Sequence, residues 1–288
     1  ESGGQIGDIG TIKGEGFELS VVDVKKDNDS FIHLCDSDMN SIKEHVVQCS
    51  VNKEQRNSIK KNHTATHLMH KALKKVLGDH VNQAGSLVHP DYLRFDLTHF
   101  EKISSKQIVE IENMVNEQIL MNTALNVSIQ NFEEAKDAGA EALFGEKYGE
   151  NVRVVEVGDY SIELCGGTHV DRTGDIGLFK ITEESSLASG VRRIVGVTGK
   201  KAISLMQEYA SILDNLQLLL NAPPNEMVVR VKNLFHDKKN LENKLKDQPI
   251  KVSYEQLMIG SKEIKGSLTI IKEVEVSSID QLKLLGDD

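Results

Sequence analysis

NHTATHLMHKALKKVLG, residues 62–78, is the stretch from which the architecture is most readily predicted. Between Lys53 and Leu77, residues that suit one helix face recur at intervals of three and four, and Gly78 follows as a typical helix stop. The recurring residues are Ile59, His63, Thr66, His67, His70, Leu73 and Leu77. The spacing predicts a long helix over residues 53–77.

Short strands are predicted on both sides of this helix. Before it, residues 1–52 combine frequent glycines with short apolar alternations, which indicates a compact β subdomain. After it come a helix that opens at Ser104 or Ser105 and a shorter helix over residues 133–143. The predicted strands cover residues 84–88, 93–97, 125–129, 152–157, 161–165, 177–181 and 191–197. Helices interspersed with hairpin-like strands are typical of the α+β class.

The pattern changes beyond Gly199. Apolar residues at helical spacing on both sides of Pro223-Pro224 predict a long helical hairpin over residues 199–249. Strand-like residues 268–276 indicate the start of another domain. The predicted domains are a β subdomain at 1–52, an α+β core at 53–198, the hairpin at 199–249 and a truncated domain at 250–288. The chain is expected to be a fragment of something longer, because it starts without a methionine and ends as a helical pattern begins.

The composition disfavours several classes of protein. The formal net charge of −10 argues against broad, nonspecific binding to nucleic acid such as DNA, which relies on phosphate neutralisation by lysine and arginine. No apolar run approaches the roughly 18–20 residues that a membrane-spanning helix requires, and no secretory leader is expected. Three cysteines without framework spacing indicate a cytoplasmic protein.

Two short motifs carry residues that bind metals. His63 and His67 are four residues apart, so both imidazoles lie on one face of the predicted helix with Cβ atoms about 6 Å apart. Cys165 and His169 flank a glycine pair, which permits the sharp turn that brings thiolate and imidazole towards a common point. Either pair alone has an ordinary structural explanation. Together they offer three nitrogens and one sulfur, and this donor set predicts zinc.

The neighbouring residues disfavour two kinds of enzyme. Thr64 stands where the zinc peptidase signature has its general-base glutamate, so that class is disfavoured. Nucleophilic attack by Cys165 is also disfavoured, because a thiolate bound to zinc is already occupied. The other histidines nearby are expected to be structural or exposed: His70, His80, His89 and His99. Cys35 and Cys49 are expected to be buried thiols.

Four stretches of the chain together resemble one family. They are ESGGQIGD at 1–8, NHTATHLMH at 62–70, CGGTH at 165–169 and SGVRRI at 189–194. They strongly resemble alanyl-tRNA synthetase, and the similarity covers nearly the whole chain. It corresponds to the editing domain, the helical hairpin behind it and the opening of the C-terminal domain. The resemblance therefore implies a small N-terminal β subdomain, a zinc-binding α+β editing core and a long helical hairpin, without the aminoacylation domain that uses ATP.

The resemblance implies an enzyme and assigns its site. It implies an aminoacyl-tRNA hydrolase that removes serine or glycine wrongly attached to tRNA for alanine. The zinc ligands that it assigns are His63, His67, Cys165 and His169. Gln83 matches a family position implicated in editing, and Gln5 lies in a loop that approaches the same pocket in the family.

The editing pocket must distinguish serine from alanine. A pocket that selects alanine for attachment to tRNA cannot exclude glycine by size, and it rejects a side chain with an added hydroxyl only about a hundredfold. A second site that hydrolyses the wrong products is therefore useful. That site needs a polar partner for the hydroxyl of serine. Thr64, Thr66 and Gln83 are the candidates, with Thr64 and Gln83 preferred as the substrate-binding and catalytic residues. A helical threonine can instead bond the carbonyl one turn back, and both roles stay open here.

Several alternatives remain at the level of sequence. Four protein ligands complete the tetrahedral coordination of zinc. Either one ligand is loose and zinc polarises water, or zinc mainly orders the pocket; we favour direct participation of zinc in substrate binding and attack.

Arg192 and Arg193 can contact the tRNA backbone or form surface ion pairs. The rival functions are a threonyl-tRNA synthetase type of editing domain, a free-standing editing protein, and a non-catalytic, zinc-structured module for tRNA binding or dimerisation. A homo-oligomer would form through the absent C-terminal part.

Overall fold

The computed structural model confirms the α+β class. It describes residues 4–27, 30–36, 46–141, 149–246 and 261–269, together with the single residues 259 and 283. The chain divides into two compact units, Glu1–Glu208 and Tyr209–Asp288. Among the described residues, no helix has the length and apolar character needed to cross a membrane.

The elements follow one another with short connections. The strands are β1 (Gly10–Gly14), β2 (Phe17–Asp27), β3 (Ser30–Asp36), β4 (Gln48–Val51), β5 (Gln83–Val88), β6 (Leu93–Thr98), β7 (Leu125–Asn131), β8 (Asn151–Val157), β9 (Ser161–Leu164), β10 (Phe179–Ala188), β11 (Val191–Thr198), β12 (Lys262–Ile264) and β13 (Ser267–Thr269). The helices are α1 (Lys53–Leu77), α2 (Ser105–Met121), α3 (Phe132–Asp137), α4 (Gly199–Leu220) and α5 (Met227–Lys246).

Three antiparallel sheets build the first unit. The first has the order β3-β2-β1-β4 and encloses a small core of Ile12, Leu19 and Val21. The second has the order β10-β11-β6-β5, and the third is β7-β8-β9. The second sheet is covered by α1 and α2, and the main core lies between these layers because each contributes apolar side chains such as Leu68, Phe95 and Ile111.

Helix α1 spans the residues that its periodicity predicts, 53–77. The side chain of Asn52 caps its start by accepting a hydrogen bond from the Gln55 amide, and Gly78 follows its last turn. Its buried face is unusually polar for a core helix. Alongside apolar side chains such as Leu68, the buried polar residues of this face are Asn62, His63, Thr64, Thr66, His67 and His70. Buried polar groups need partners, so this face marks a structured polar site inside the core.

Some predicted boundaries differ from those of the structure. Helix α3 ends at Asp137, with Gly139 at a φ of +87°, and therefore covers only the first part of the predicted segment 133–143. Residues 142 and 143 lie outside the described residues. β10 begins at Phe179, because residues 173–176 form a 3-10 turn and Gly177 adopts a φ of 86°. Cys49 is exposed, so the expectation that it is a buried thiol was wrong; Cys35 is half-buried.

The second unit contains the end of α4, all of α5 and the β12–β13 hairpin. Six residues around Pro223-Pro224 separate the two helices, and Glu226 N donates to Pro223 O at the start of α5. The packing of the two helices into a hairpin stays a prediction, as do the bounds of the four domains. The predicted strand 268–276 is described only through Thr269, where β13 ends.

Candidate metal centre

Helix α1 presents two histidines to the interior of the first unit. His63 and His67 lie one turn apart, and their rings are stacked with centroids 5.2 Å apart. Both side chains are buried, His63 at 2% and His67 at 9% exposure. This arrangement places two imidazole rings side by side without any contribution from a loop.

The other two side chains come from the turn that follows β9. Arg153 on β8 holds this turn, because its Nη1 donates to the carbonyl oxygens of Cys165 at 2.7 Å and Gly167 at 2.8 Å. A Cβ at Gly167 would lie 2.1 Å from Cε1 of His63. Glycine is therefore required here for the turn to approach the helix so closely.

The four side chains converge on one point. The metal-binding atoms of His63, His67, Cys165 and His169 all lie within 4.8 Å of one another, and all four residues are buried. Sγ of Cys165 is 3.3 Å from Nε2 of His63 and 3.4 Å from Nε2 of His169. Zinc bonds of about 2.0 Å to nitrogen and 2.3 Å to sulfur place tetrahedral ligands about 3.5 Å apart. The observed spacing therefore fits an ion of this kind.

A buried nitrogen without a hydrogen-bond partner also supports a metal ion at this point. Nε2 of His67 is buried and has no hydrogen-bond partner among the described residues. A buried polar atom without a partner costs about 1–3 kcal/mol, and coordination to a cation would remove that cost. The donor set of three imidazoles and one thiolate is one that zinc binds in proteins.

The electrostatics of the cluster favour the ligand form of Cys165. Burial alone would raise the pKa of this thiol, but the nearby imidazoles of His67 and His63, with hydrogen bonds from His169 and His63, lower its pKa to about 2. Burial lowers the pKa of His169 to about 3, assisted by the neighbouring His63 and His67. The thiol is thus ionised and His169 is neutral, as metal binding requires. Burial would lower the pKa of His67, but the charges of Glu163 and Cys165 raise it, so a metal ion that binds Nε2 of His67 displaces a proton.

Each histidine of the cluster has a separate partner at its other nitrogen. Nδ1 of His63 lies 3.0 Å from Oε1 of Gln5, and Nδ1 of His169 lies 3.2 Å from Oγ1 of Thr64. Nδ1 of His67 contacts a carboxylate oxygen of Glu163. All three rings therefore turn Nε2 towards the common centre, which is the arrangement seen when outer partners orient metal-binding histidines.

Comparison with known proteins gives the cluster a family context. Residues 152–195, which include Cys165 and His169, match the family model described as the threonyl and alanyl tRNA synthetase second additional domain. The whole chain aligns with alanine–tRNA ligases of Acetivibrio thermocellus at 41% identity, Clostridioides difficile at 43% and Geobacillus kaustophilus at 44%. The chain is a homologue of alanine–tRNA ligase. It spans 33% of the length of each of these relatives.

The homology to alanine–tRNA ligase directs attention to Gln5 and Gln83. A parallel bridge between Gln5 and Val88 docks the N-terminal segment on β5, and Oε1 of Gln5 also accepts from the Thr168 amide at 2.8 Å. Gln5 thus touches both halves of the metal cluster. Gln83, at the start of β5, lines a small cavity of about 10 Å³ beside the cluster, together with Thr66. Their roles towards a substrate stay predictions.

Thr64 is engaged on several sides by protein groups. Its hydroxyl donates to the Lys60 carbonyl at 2.9 Å, the bond one turn back that competes with a substrate role. It also accepts from the Val170 amide at 3.2 Å and lies against Nδ1 of His169. The structure therefore places Thr64 behind a metal-cluster histidine, and its direct contact with a substrate stays a prediction.

Both candidate tRNA-binding arginines form ion pairs within the protein. Arg193 makes a two-pronged contact with Asp96, from Nε at 2.7 Å and Nη2 at 2.9 Å. This hydrogen bonding raises the pKa of Arg193. Arg192 donates from Nε to Glu184 at 2.7 Å. The alternative in which these arginines serve as strand ion pairs accounts for the observed contacts.

Two functional candidates were missed by reasoning from the sequence alone. Glu163 is buried at 6% exposure and holds His67, and His70 is buried at 6% and lines the same small cavity as Gln83. Both carried a local signal. His70 lies three residues after His67 on the same helix face, and Glu163 lies two residues before Cys165 on a strand, where alternate residues share a face.

Proposed function

We propose that this chain hydrolyses the ester that joins serine or glycine, wrongly attached, to tRNA for alanine. The convergence of His63, His67, Cys165 and His169 on one buried point carries the proposal. The family context supports it, because the chain is homologous along its whole length to alanine–tRNA ligases and matches the additional domain that they share with threonyl enzymes. A cytoplasmic site of action, where tRNA is charged, is part of the proposal.

Zinc is the proposed resident metal, held by these four side chains. When bound, it supplies a Lewis acid at the edge of the cavity, suited to polarising a carbonyl or water. In the overall reaction, the oxygen of water bonds to the ester carbonyl carbon and the bond from that carbon to the ribose oxygen breaks. The ribose oxygen leaves with a proton, and the free amino acid is released.

Selectivity for serine is proposed to come from the side chains that line the cavity. Gln83 and Thr66 line it; the Thr66 hydroxyl donates to the Asn62 carbonyl at 2.8 Å, and the amide of Gln83 can pair with the hydroxyl of serine. Alanine leaves such a group unpaired, which costs about 1–3 kcal/mol when the group is buried. Gln5 and Thr64 are proposed to act through His63 and His169, whose Nδ1 atoms they contact.

Cys165→Ala tests the proposal. We expect the variant to bind much less zinc and to lose hydrolysis of serine attached to tRNA for alanine, measured as release of serine alongside metal analysis. Cys49→Ala is the matched control, because Cys49 is exposed and lies outside the cluster. Wild-type zinc content and deacylation in the Cys165 variant would contradict the proposal.

A second candidate follows from the number of ligands. Four protein side chains complete a tetrahedral zinc, which is the pattern of structural sites. On this alternative the metal only orders a tRNA-binding module. It predicts that the wild-type protein binds zinc and tRNA but releases no serine, so the same assay separates the two functions.

A further inference from the structure

The carboxylate of Glu163 faces two imidazoles at once. One oxygen contacts Nδ1 of the cluster residue His67. The other oxygen lies 3.7 Å from Nδ1 of His70 and accepts a hydrogen bond from the Ser161 hydroxyl at 3.1 Å. His70 is outside the group of four metal-binding residues, although it lies on the same face of α1. A single buried side chain thus connects the metal cluster with a histidine that is not a ligand.

The two imidazoles share an unusual feature at their far nitrogens. Nε2 of His67 and Nε2 of His70 are both buried, and neither has a hydrogen-bond partner within the described part of the chain. Oε2 of Glu141 lies 3.8 Å from Nε2 of His70. That distance is too long for a hydrogen bond, and the same oxygen already accepts from Lys74.

Glu163 favours hydrogen on Nδ1 of both rings. It contacts Nδ1 of His67 directly, and its other oxygen lies 3.7 Å from Nδ1 of His70, a distance at which its charge still acts although no hydrogen bond forms. A ring that carries its only hydrogen on Nδ1 has a free lone pair on Nε2. For His67 this lone pair points to the metal centre. For His70 it requires a hydrogen-bond donor that the described protein groups do not supply.

The small cavity lined by His70 has room for such a donor. His70, Gln83 and Thr66 line a space of about 10 Å³ together with His63, His67 and Cys165 of the cluster. A volume of about 10–15 Å³ accommodates one water molecule, which needs two to four polar partners. Nε2 of His70 and the hydroxyl oxygen of Thr66, whose hydrogen is donated to the Asn62 carbonyl, are such partners, which leaves the Gln83 amide for the substrate. The geometry therefore favours a single water beside the metal centre.

We propose that Glu163 is a positioning residue that aligns His67 for the metal and His70 for this water. His70 accepts a hydrogen bond from the water and holds its oxygen beside the metal centre, where the scissile ester would lie. The part that concerns the ester rests on the proposed hydrolytic function, whereas the alignment of His67 does not. A purely structural reading gives His70 the role of a packing residue against Phe95, whose ring centroid is 5.1 Å away.

Zinc affinity tests the first part. Glu163→Gln keeps the shape of the side chain but loses the charge that fixes His67, so we expect zinc to bind about 10–100-fold more weakly. The measurement is competition with a chromophoric chelator. Cobalt-substituted protein should still show thiolate-to-metal absorption, because the four ligands remain. Glu110→Gln, an exposed residue of α2, is the control. Unchanged zinc affinity in Glu163→Gln would overturn the alignment of His67.

Deacylation kinetics test the second part. His70→Leu should keep full zinc content and a near-wild-type KM but lower kcat for release of serine from tRNA by at least about 10²-fold. His70→Gln, which places a polar atom near the position of Nε2, should recover part of the rate. Wild-type kcat in zinc-loaded His70→Leu would overturn the role of His70, as would failure of His70→Gln to exceed the leucine variant.

The outcomes separate this inference from the proposed function. A wild-type protein that binds zinc but releases no serine overturns the hydrolytic function and, with it, the role of His70 towards an ester. The zinc affinity of Glu163→Gln still decides the alignment of His67 in that case. An active wild type with an equally active His70→Leu variant overturns the inference alone.

Discussion

At the scale of single residues, the tightest constraint in the centre belongs to Gly167. Besides meeting Cε1 of His63, a Cβ at this position would lie 2.5 Å from Nδ1 of the same ring and 2.9 Å from Oε1 of Gln5. These atoms belong to a buried ring and its buried partner, so neither can move away without cost. The turn and the helix approach each other as closely as they do because this position has no side chain.

Gly167→Ala is expected to weaken zinc binding about tenfold or more, because the new methyl group displaces His63 and its bond to Gln5. The dissociation constant of zinc, obtained by chelator competition, measures the effect. Gly149→Ala provides the control, since the nearest atom to its added Cβ is 4.0 Å away. A Gly167 variant that bound zinc as the wild type does would show that the turn adjusts freely.

The residues of the cluster were predictable where the signal is local. His63 and His67 share a helix face by spacing alone, and Cys165 and His169 flank a glycine turn. The partners of the histidines were less accessible. Glu163 meets His67 across 96 residues and Gln5 meets His63 across 58, and a local signal such as strand alternation does not show which distant residue is the partner. Folding brings them together, because most buried polar groups need a hydrogen-bond partner.

At the scale of elements, α1 is fixed to its surroundings by polar contacts as well as by apolar packing. Asn62, one residue before His63, donates to the carbonyl of His89 at 2.6 Å and accepts from the hydroxyl of Thr198 at 2.7 Å. These bonds tie the helix to the β5–β6 connection and to the end of β11. The rotation of α1 about its axis, and with it the direction of His63, depends on them.

Asn62→Ala should destabilise the first unit by about 2–3 kcal/mol, because it leaves buried hydrogen-bonding groups of His89 and Thr198 without their partner. Denaturant unfolding followed by circular dichroism measures the loss. Asn126→Ala is expected to change stability by less than about 0.5 kcal/mol, since the side chain of Asn126 is exposed and, among the described residues, bonds only to Glu156. Equal effects of the two substitutions would refute this account.

Glu112 makes a similar connection between α2 and the second sheet. It is buried and accepts from the amide of Ile181 at 2.8 Å and from Nζ of Lys180 at 2.7 Å. Glu112→Ala is expected to cost about 2–4 kcal/mol of unfolding free energy, because the buried amide and the ammonium both lose their acceptor. Thermal and denaturant melts measure this. Glu110→Ala, on the exposed face of the same helix, should leave the free energy of unfolding nearly unchanged.

The elements themselves were predicted better than their ends. Helices α1 and α2 carry long apolar stripes with side-chain caps, and α2 begins at Ser105 after the capping box of Ser104 and Gln107. The segment that becomes α3 is short, and its end is set by Gly139 in the left-handed region. The start of β10 depends on the turn before it, which an alternating apolar pattern does not report.

At the scale of the whole molecule, the metal cluster brings together side chains from two separate parts of the first unit. The helix that supplies His63 and His67 packs on the second sheet, whereas the turn that supplies Cys165 and His169 follows β9 of the third sheet. An ion bound by all four side chains would link these parts. Such a link stabilises the folded chain, because the ion binds the native state and not the unfolded one.

Removal of zinc by a chelator is therefore expected to lower the melting temperature of the protein. At free zinc about 100 times its dissociation constant, binding contributes about 2.7 kcal/mol. For a unit of this size that corresponds to a shift of about 5–10 °C. Calorimetry with and without the chelator measures it. Cys165→Ala should show little shift, and a wild-type melting temperature independent of zinc would contradict the prediction.

The two motifs that supply the metal ligands are also translated at different times. Cys165 follows His63 by 102 residues, so translation at roughly 5–20 residues per second leaves about 5–20 s between them. During that interval the nascent helix exposes imidazoles with no thiolate opposite them. Capture of the ion by the full donor set is thus a late event of biogenesis, and a ribosome-stalled chain ending before Cys165 should retain zinc poorly.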